Sequence, residues 1–212
     1  MHSSIIKLHP ECLTRKIFSL YTINYTTYPH NGNILIHDRM LIMAQREPTF
    51  SYLPIGVIHS PYHDAAGMPI QPGGARGVPG RVEVFEEYRA GLADLDGFSR
   101  IILLYPFHRS SGYNLVLTPF LDTCPRGIFS TRAPRRPNAI GLSIVRLTGV
   151  KDGELEIGDV DILDGTPLLD IKPYVPVFDS YPDERSGWLE GCDQRVGSAR
   201  SDRRFLDTPG DR

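Results

Sequence analysis

Glycine and proline interrupt this sequence so often that long helices have little room: 20 Gly and 18 Pro fall within 212 residues. Inside a helix glycine costs about 1 kcal/mol and proline about 3 kcal/mol relative to alanine. Punctuation this dense favours short strands joined by turns. From Tyr52 onward the pattern between the breaks agrees. Tyr52–Ser60 and Arg81–Phe85 alternate apolar and polar residues, as half-buried strands do. Ile101–Phe107 is a continuous apolar run, the mark of a fully buried strand. Tyr113–Leu121, Ala139–Gly149, Leu155–Leu163 and Leu168–Ile171 are further strand candidates, and Lys151-Asp152-Gly153 has the chemistry of a hairpin turn. One helix is predicted over Glu86–Leu95, with Tyr88, Leu92 and Leu95 on a common face. The expected fold is mainly β: a small antiparallel barrel-like domain with one or two helices, not a doubly wound Rossmann sheet.

Composition matters here through its unevenness. The net charge of −2 excludes a uniformly basic nucleic-acid coat and a highly acidic disordered chain. Yet residues 51–191 hold 13 basic and 18 acidic side chains, a local charge of −5, and nearly all the basic ones are Arg. No run of 18 apolar residues occurs, so no membrane helix is expected. The three cysteines, Cys12, Cys124 and Cys192, are far apart and form no Cys-x-x-Cys pair, which disfavours a disulfide framework or a zinc knuckle. With no basic segment leading into an unbroken apolar stretch at the N-terminus, a cytoplasmic location is the default.

Three segments are expected. Residues 1–50 show no clear period and read as an appendage to the working domain. That appendage is either a genuine extension, disordered or not, or upstream sequence translated ahead of a start at Met40 or Met43. Residues 51–190 form the domain, and the charged, Gly- and Ser-bearing stretch 191–212 reads as a disordered tail.

Familiar catalytic motifs are absent. Gly73-Gly74-Ala75-Arg76-Gly77 does not match Gly-x-Gly-x-x-Gly and precedes a strand, not a helix. There is no Walker A loop, no Gly-x-Ser-x-Gly elbow and no His-Glu-x-x-His. Four other segments carry chemistry. Around Gln71-Pro72-Gly73 a ligand can approach the backbone closely, because glycine has no Cβ. His108-Arg109 stands at the end of the buried run, where polar groups commonly face a site. Arg126, Arg132, Arg135 and Arg136 fall within 11 residues, without an acid between them. Guanidinium forks of this kind suit phosphate, carboxylate and stacked bases. Finally, Asp161, Asp164 and Asp170 flank a tight turn. They serve either as turn caps or as acceptors for an amine or ribose hydroxyls.

Read together, these segments resemble the TsaA-like family of S-adenosylmethionine-dependent tRNA methyltransferases. The matching text is Ile55-Gly-Val-Ile-His-Ser-Pro61-Tyr62, Gln71-Pro72-Gly73, Phe107-His108-Arg109 and Gly127-Ile-Phe-Ser-Thr131-Arg132. It continues with Arg136-Pro137-Asn138-Ala-Ile-Gly141-Leu-Ser143 and Asp161-Ile-Leu-Asp164-Gly165-Thr166-Pro167, ending at Lys172-Pro173-Tyr174. The likeness covers about residues 52–182.

The resemblance implies a homodimer that binds S-adenosylmethionine near its interface. It also implies methylation of N6 of threonylcarbamoyl-adenosine beside the anticodon of a tRNA. Carried over by motif, the cofactor residues would be Gln71, Pro72, Gly73, His108, Arg109, Arg132, Leu142, Asp161, Ile162, Leu163 and Asp164. Asp161 and Asp164 would be the candidate bases. Arg126, Arg135, Arg136, Asn138 and Lys172 would meet the anticodon stem-loop, and no metal or membrane is implied. Two features depart from the family pattern. Arg109 stands where bacterial members often carry Gln, and the further C-terminal domain of bacterial members has no counterpart here. Two rival readings remain: a module that binds the cofactor or an adenosine ligand and RNA without transfer, and a methyltransferase acting on another RNA or nucleotide.

Overall fold

Alternating burial along one strand explains why the sheet curls around a core. In Ile101–Tyr105 every second side chain, Ile101, Leu103 and Tyr105, points inward and is buried. The computed structural model describes residues 50–192, 195, 197–202, 204 and 205. The chain divides into two units, Met1–Phe50 and Ser51–Arg212. The expectations for residues 1–49, Cys12 included, lie outside the described residues.

In the second unit the strands are β1 (Gly56–His59), β2 (Pro79–Val84), β3 (Arg100–Pro106), β4 (Val116–Leu117), β5 (Arg126–Gly127), β6 (Ile140–Lys151), β7 (Glu154–Gly158), β8 (Thr166–Leu168) and β9 (Asp170–Pro173). Seven of them form one sheet in the order β8-β1-β2-β7-β6-β3-β9, and β4 pairs with β5 apart from it. Every pairing is antiparallel. The two edges of the large sheet are consecutive pieces of one segment, because only Leu169 separates β8 from β9. The Leu169 amide donates to the Leu104 carbonyl of β3 at 2.8 Å, so this segment closes the sheet on itself. The expected barrel-like, non-Rossmann class therefore holds.

The core inside this closure is aliphatic, with Ile58, Val82, Val84, Ile101, Leu103, Val145, Leu155, Val160 and Leu168 almost fully buried. Each such Val, Leu or Ile contributes roughly 1.5–3 kcal/mol through burial. The β6–β7 hairpin turns at Asp152-Gly153, where φ is 53° and 85°. Two successive positive φ values make the type I′ turn that fits the twist of paired strands.

Several sequence expectations need correction. The segment Glu86–Leu92 is a 3₁₀ helix with no fully buried residue, followed by a separate turn at Leu95–Gly97. Tyr88 is exposed, so the predicted apolar face is not used as a whole. Tyr113–Leu121 supplies only the two residues of β4, because Tyr113, Leu115 and Val116 face outward and β5 is its sole partner strand. The strand expected over Leu155–Leu163 stops at Gly158, since Asp159 adopts a φ of 65°.

Of the stretch 191–212, expected as a disordered tail, residues 193, 194, 196, 203 and 206–212 lie outside the described residues; among the rest, Cys192 and Phe205 are buried. Phe205 joins Leu117, Ile128 and Ala133 in a second small core, with Phe120 against it. The Ser201 amide donates to the Met68 carbonyl, and the Ser201 hydroxyl donates to the Ala65 carbonyl. A charged composition hid one apolar anchor, and one anchor is enough to hold such a segment down. Of the cysteines, Cys124 is exposed, Cys192 is buried, and both are free. Among the described residues no helix is long and apolar enough to cross a membrane.

Candidate active site

The second small core has a structural task. It orders the 107–138 excursion from within, and a cavity of about 1100 Å³ opens between that excursion and one end of the barrel. Its barrel side carries Tyr105, Phe107, Gly141, Leu142, Asp161 and Ile162, and its loop side carries Phe129, Arg132 and Arg136. This size is at the upper end of small-molecule sites, roughly 300–1,000 Å³. It has room for a nucleoside-sized ligand and part of a second one.

At the barrel end lies a buried polar chain. The Tyr105 hydroxyl donates to Ser143 Oγ at 2.8 Å, and the Ser143 hydroxyl donates to Asp161 Oδ1 at 2.6 Å. Ser143 is 1% exposed. Burial raises the Asp161 carboxyl to a pKa of about 6, with the Ser143 hydrogen bond and the Arg132 charge holding it back in part. Burial also pushes the Tyr105 phenol upward, and the neighbouring Asp161 charge adds to this. Tyr105 therefore acts as a neutral donor. Tyr105→Phe is expected to cost about 1 kcal/mol, the ordinary net value of one hydrogen bond. Urea unfolding measures it, and an unchanged midpoint would show that the hydroxyl adds nothing.

Gly141 is required by the same ring. A Cβ at this position would lie 2.6 Å from Tyr105 Cζ and 2.9 Å from Cδ2. The ring thus packs flush on the β6 backbone at the cavity floor, where only glycine leaves it space.

The structure brings most of the sequence-predicted site residues together. Gln71, His108, Arg109, Arg132, Leu142, Asp161, Ile162 and Leu163 all line the large cavity, as do Arg136 and Asn138. Arg132 donates to Gln71 Oε1 at 3.0 Å, joining two segments 61 residues apart. Burial, then the adjacent Arg109 charge, pulls the His108 pKa below its ordinary value. Pro72 and Gly73 line a neighbouring opening of about 390 Å³, which shares Gln71, Arg132 and Leu142 with the first.

Four predicted residues fall outside both cavities. Asp164 accepts the Ser60 amide at 3.1 Å and sits beside His59 and His63. The Ser60 hydrogen bond leads the influences that hold its pKa below the usual carboxylate range. It is the turn cap, while Asp161 is the carboxylate of the cavity. Arg126 pairs with Asp122 at 2.7 Å and lies over the Trp188 ring. The acid missing from the arginine run stands just before it. Arg135 accepts the Asn114 amide with its backbone carbonyl, and Lys172 pairs with Asp170 at 2.8 Å on β9. No cluster of three potential metal ligands occurs among the described residues.

A family model described as the tRNA-methyltransferase O N-terminal domain matches residues 57–180, more than half of the chain. The chain belongs to this family. A Pyrococcus abyssi protein named a probable S-adenosyl-L-methionine-binding protein is 52% identical over 73% of this chain and 84% of its own length. The tRNA (adenine(37)-N6)-methyltransferase of Escherichia coli is 36% identical, covering 68% of this chain and 66% of that protein. The crystal structure of TrmO from Pseudomonas aeruginosa superposes with a TM-score of 0.57 at 39% identity, covering 66% of this chain and 63% of that one. The chain thus spans slightly less than two thirds of these last two relatives.

In this TrmO-family domain the sequence reading missed Tyr105, Phe129, Ser143 and Trp188. Tyr105 sits at an inward position of a strand read as core, and Ser143 closed a matched motif without being given a role. Phe129 is 76% exposed at the cavity, and Trp188 donates from Nε1 to the Ser130 carbonyl at 2.7 Å. The signal available for Phe129 was its place inside the arginine-rich loop, where an aromatic without a core partner faces a ligand.

Proposed function

We propose that this domain binds S-adenosylmethionine in the large cavity and methylates N6 of the adenosine at position 37 of a tRNA, one bearing the threonylcarbamoyl group. The buried Tyr105–Ser143–Asp161 chain at the cavity wall carries this reading, and the activity named for the Escherichia coli relative supports it.

The walls suit the cofactor. Phe107, Ile140, Leu142 and Ile162 offer apolar faces to a flat base, Asp161 offers negative charge to a cation, and Gln71 with Arg132 offers donors to a carboxylate. S-adenosylmethionine, when bound, supplies an electrophilic methyl group on a sulfonium. The nitrogen that gains this methyl must release its proton. Asp161 is placed to hold that proton, and with a pKa near 6 it is a better base than an ordinary carboxylate. Ser143 fixes the orientation of the carboxylate through the 2.6 Å hydrogen bond. Arg136 at the mouth is placed to meet the RNA backbone, and exposed Phe129 fits a base lifted out of its stack. Exposed Phe129, Ile140 and Leu142 also leave the mouth apolar, which supports the homodimer reading with a second copy covering it. A cytoplasmic place of work is consistent with a tRNA substrate.

The test is methyl transfer from isotope-labelled S-adenosylmethionine to tRNA with and without the threonylcarbamoyl group, read by mass spectrometry of nucleosides. A methyl on the modified adenosine is expected. Binding of the cofactor without transfer to any tRNA would instead identify a binding module, and transfer only to unmodified tRNA would change the substrate.

A further inference from the structure

The smaller opening beside the active site shares Gln71, Pro72, Gly73, Arg132 and Leu142 with the residues assigned to the cofactor, yet it also carries charge from outside that set. Three arginines, Arg76, Arg100 and Arg132, line its roughly 390 Å³ against a single carboxylate, Asp159. This excess occurs in a segment whose overall charge is −5 over residues 51–191. Asp159 is already fully engaged. It accepts from Arg100 at 3.0 Å, Arg146 at 3.2 Å and the Gly77 amide at 2.9 Å. Burial would raise its pKa, yet these partners together hold it below the usual range. It is therefore an anion at neutral pH, and its single charge is shared between two guanidinium partners.

Arg76 is different. It is exposed, lines the opening, and makes no ion pair or hydrogen bond among the described residues. Arg132 has only the neutral Gln71 as a hydrogen-bond partner. Crowding like charges around one concavity is unfavourable unless an anion enters it. Asp159 also pre-positions Arg100, so little side-chain freedom remains to be lost on binding. Gln71, Arg132 and Leu142 belong to both cavities, so a molecule seated in the large one has a continuous path into this opening.

We propose that this opening is an anion subsite that grips a carboxylate or phosphate of the RNA substrate, with Arg76 as its uncommitted ligand. The inference rests on the RNA-methylating reading above. Two sources present this chemistry: the carboxylate of the threonylcarbamoyl group on the base, and a backbone phosphate near it.

The full-length chain and its Arg76→Ala and Arg76→Glu variants are titrated with tRNA carrying the threonylcarbamoyl group and with the same tRNA lacking it, at several salt concentrations. S-adenosylmethionine affinity is measured in parallel. Arg76 supports no other residue, so both variants should fold with unchanged thermal midpoints. Loss of about tenfold in affinity, the value of one charge-assisted hydrogen bond, is expected for Arg76→Ala, and more for Arg76→Glu. If the loss is confined to modified tRNA, the ligand is the base carboxylate. If it is equal on both, with the salt slope lowered by about one, the ligand is a phosphate. Both results support the subsite. Unchanged RNA affinity overturns it, as does a matching loss of S-adenosylmethionine affinity. A wild-type chain that binds neither tRNA overturns the methyltransferase reading and the subsite together. A wild-type chain that methylates tRNA beside an indifferent Arg76→Ala overturns the subsite alone.

Discussion

Asp161→Asn is expected to abolish methyl transfer and, above about pH 6, to make the protein more resistant to heat. Both effects have one origin. Folding takes the Asp161 carboxyl out of water and moves its pKa from 3.8 to about 6. Between these values the folded protein holds a proton that the unfolded chain has released. Stability therefore falls as pH rises through that window, and above it the buried charge is a standing cost. A shift of this size corresponds to at most about 3 kcal/mol, at 1.36 kcal/mol per unit. Asparagine removes the charge, while its carbonyl oxygen still accepts from Ser143. The melting temperatures of wild type and variant should coincide more closely at pH 5 than at pH 8, where the variant should lie higher. Turnover in the wild type should rise through about pH 6 and then level. Near-normal turnover in the variant would remove Asp161 from the transfer step, and a lower melting temperature at pH 8 would refute the charge-burial account.

The second large effect is expected from Gly141→Ala. The added methyl would overlap the Tyr105 ring, which is buried, hydrogen-bonded through its hydroxyl to Ser143 and in edge contact with Phe107 at 5.7 Å between centroids. A ring held in this way cannot step aside without moving the polar chain that orients Asp161. Overpacking of a core position typically costs about 1–3 kcal/mol. Here the cofactor wall is displaced as well, so a loss of S-adenosylmethionine affinity of about tenfold or more is expected, measurable by calorimetry. The three atoms nearest to the added methyl all belong to the Tyr105 ring, which permits a control. In a Tyr105→Leu background, which removes the ring, Gly141→Ala should cost much less, and additive effects would show that the ring is not the obstacle.

How much of this was legible in the sequence differs from element to element. Strands with strict alternation and a defined turn, such as those around Asp152-Gly153, could be read from pattern alone, because period and turn chemistry are local. The 3₁₀ segment Glu86–Leu92 could not, since helical spacing does not reveal that no neighbour covers Tyr88. The cavity residues Gln71, His108, Arg132 and Asp161 were found through the motifs they belong to. The distinction between Asp161 and Asp164 was not accessible in that way. The two stand three residues apart in one motif, and only the fold makes one a buried acceptor of Ser143 and the other a cap on Ser60. Likewise nothing in the arginine run showed that Arg126 answers to Asp122 while Arg132 turns to Gln71. Partners distant in sequence decide the duty of each guanidinium, and a single sequence does not display them.

The segment 166–173 has a meaning beyond closing the barrel. It is one short strap that serves as both seams of the sheet, and it starts directly after the cavity wall Asp161–Leu163. Neither seam can loosen without tugging at the other, so the barrel opens as a unit or not at all. A ligand that steadies the wall steadies the strap with it. Occupancy of the active site and the integrity of the whole sheet thus meet in one eight-residue strap, whose first residue, Thr166, itself lines the cavity.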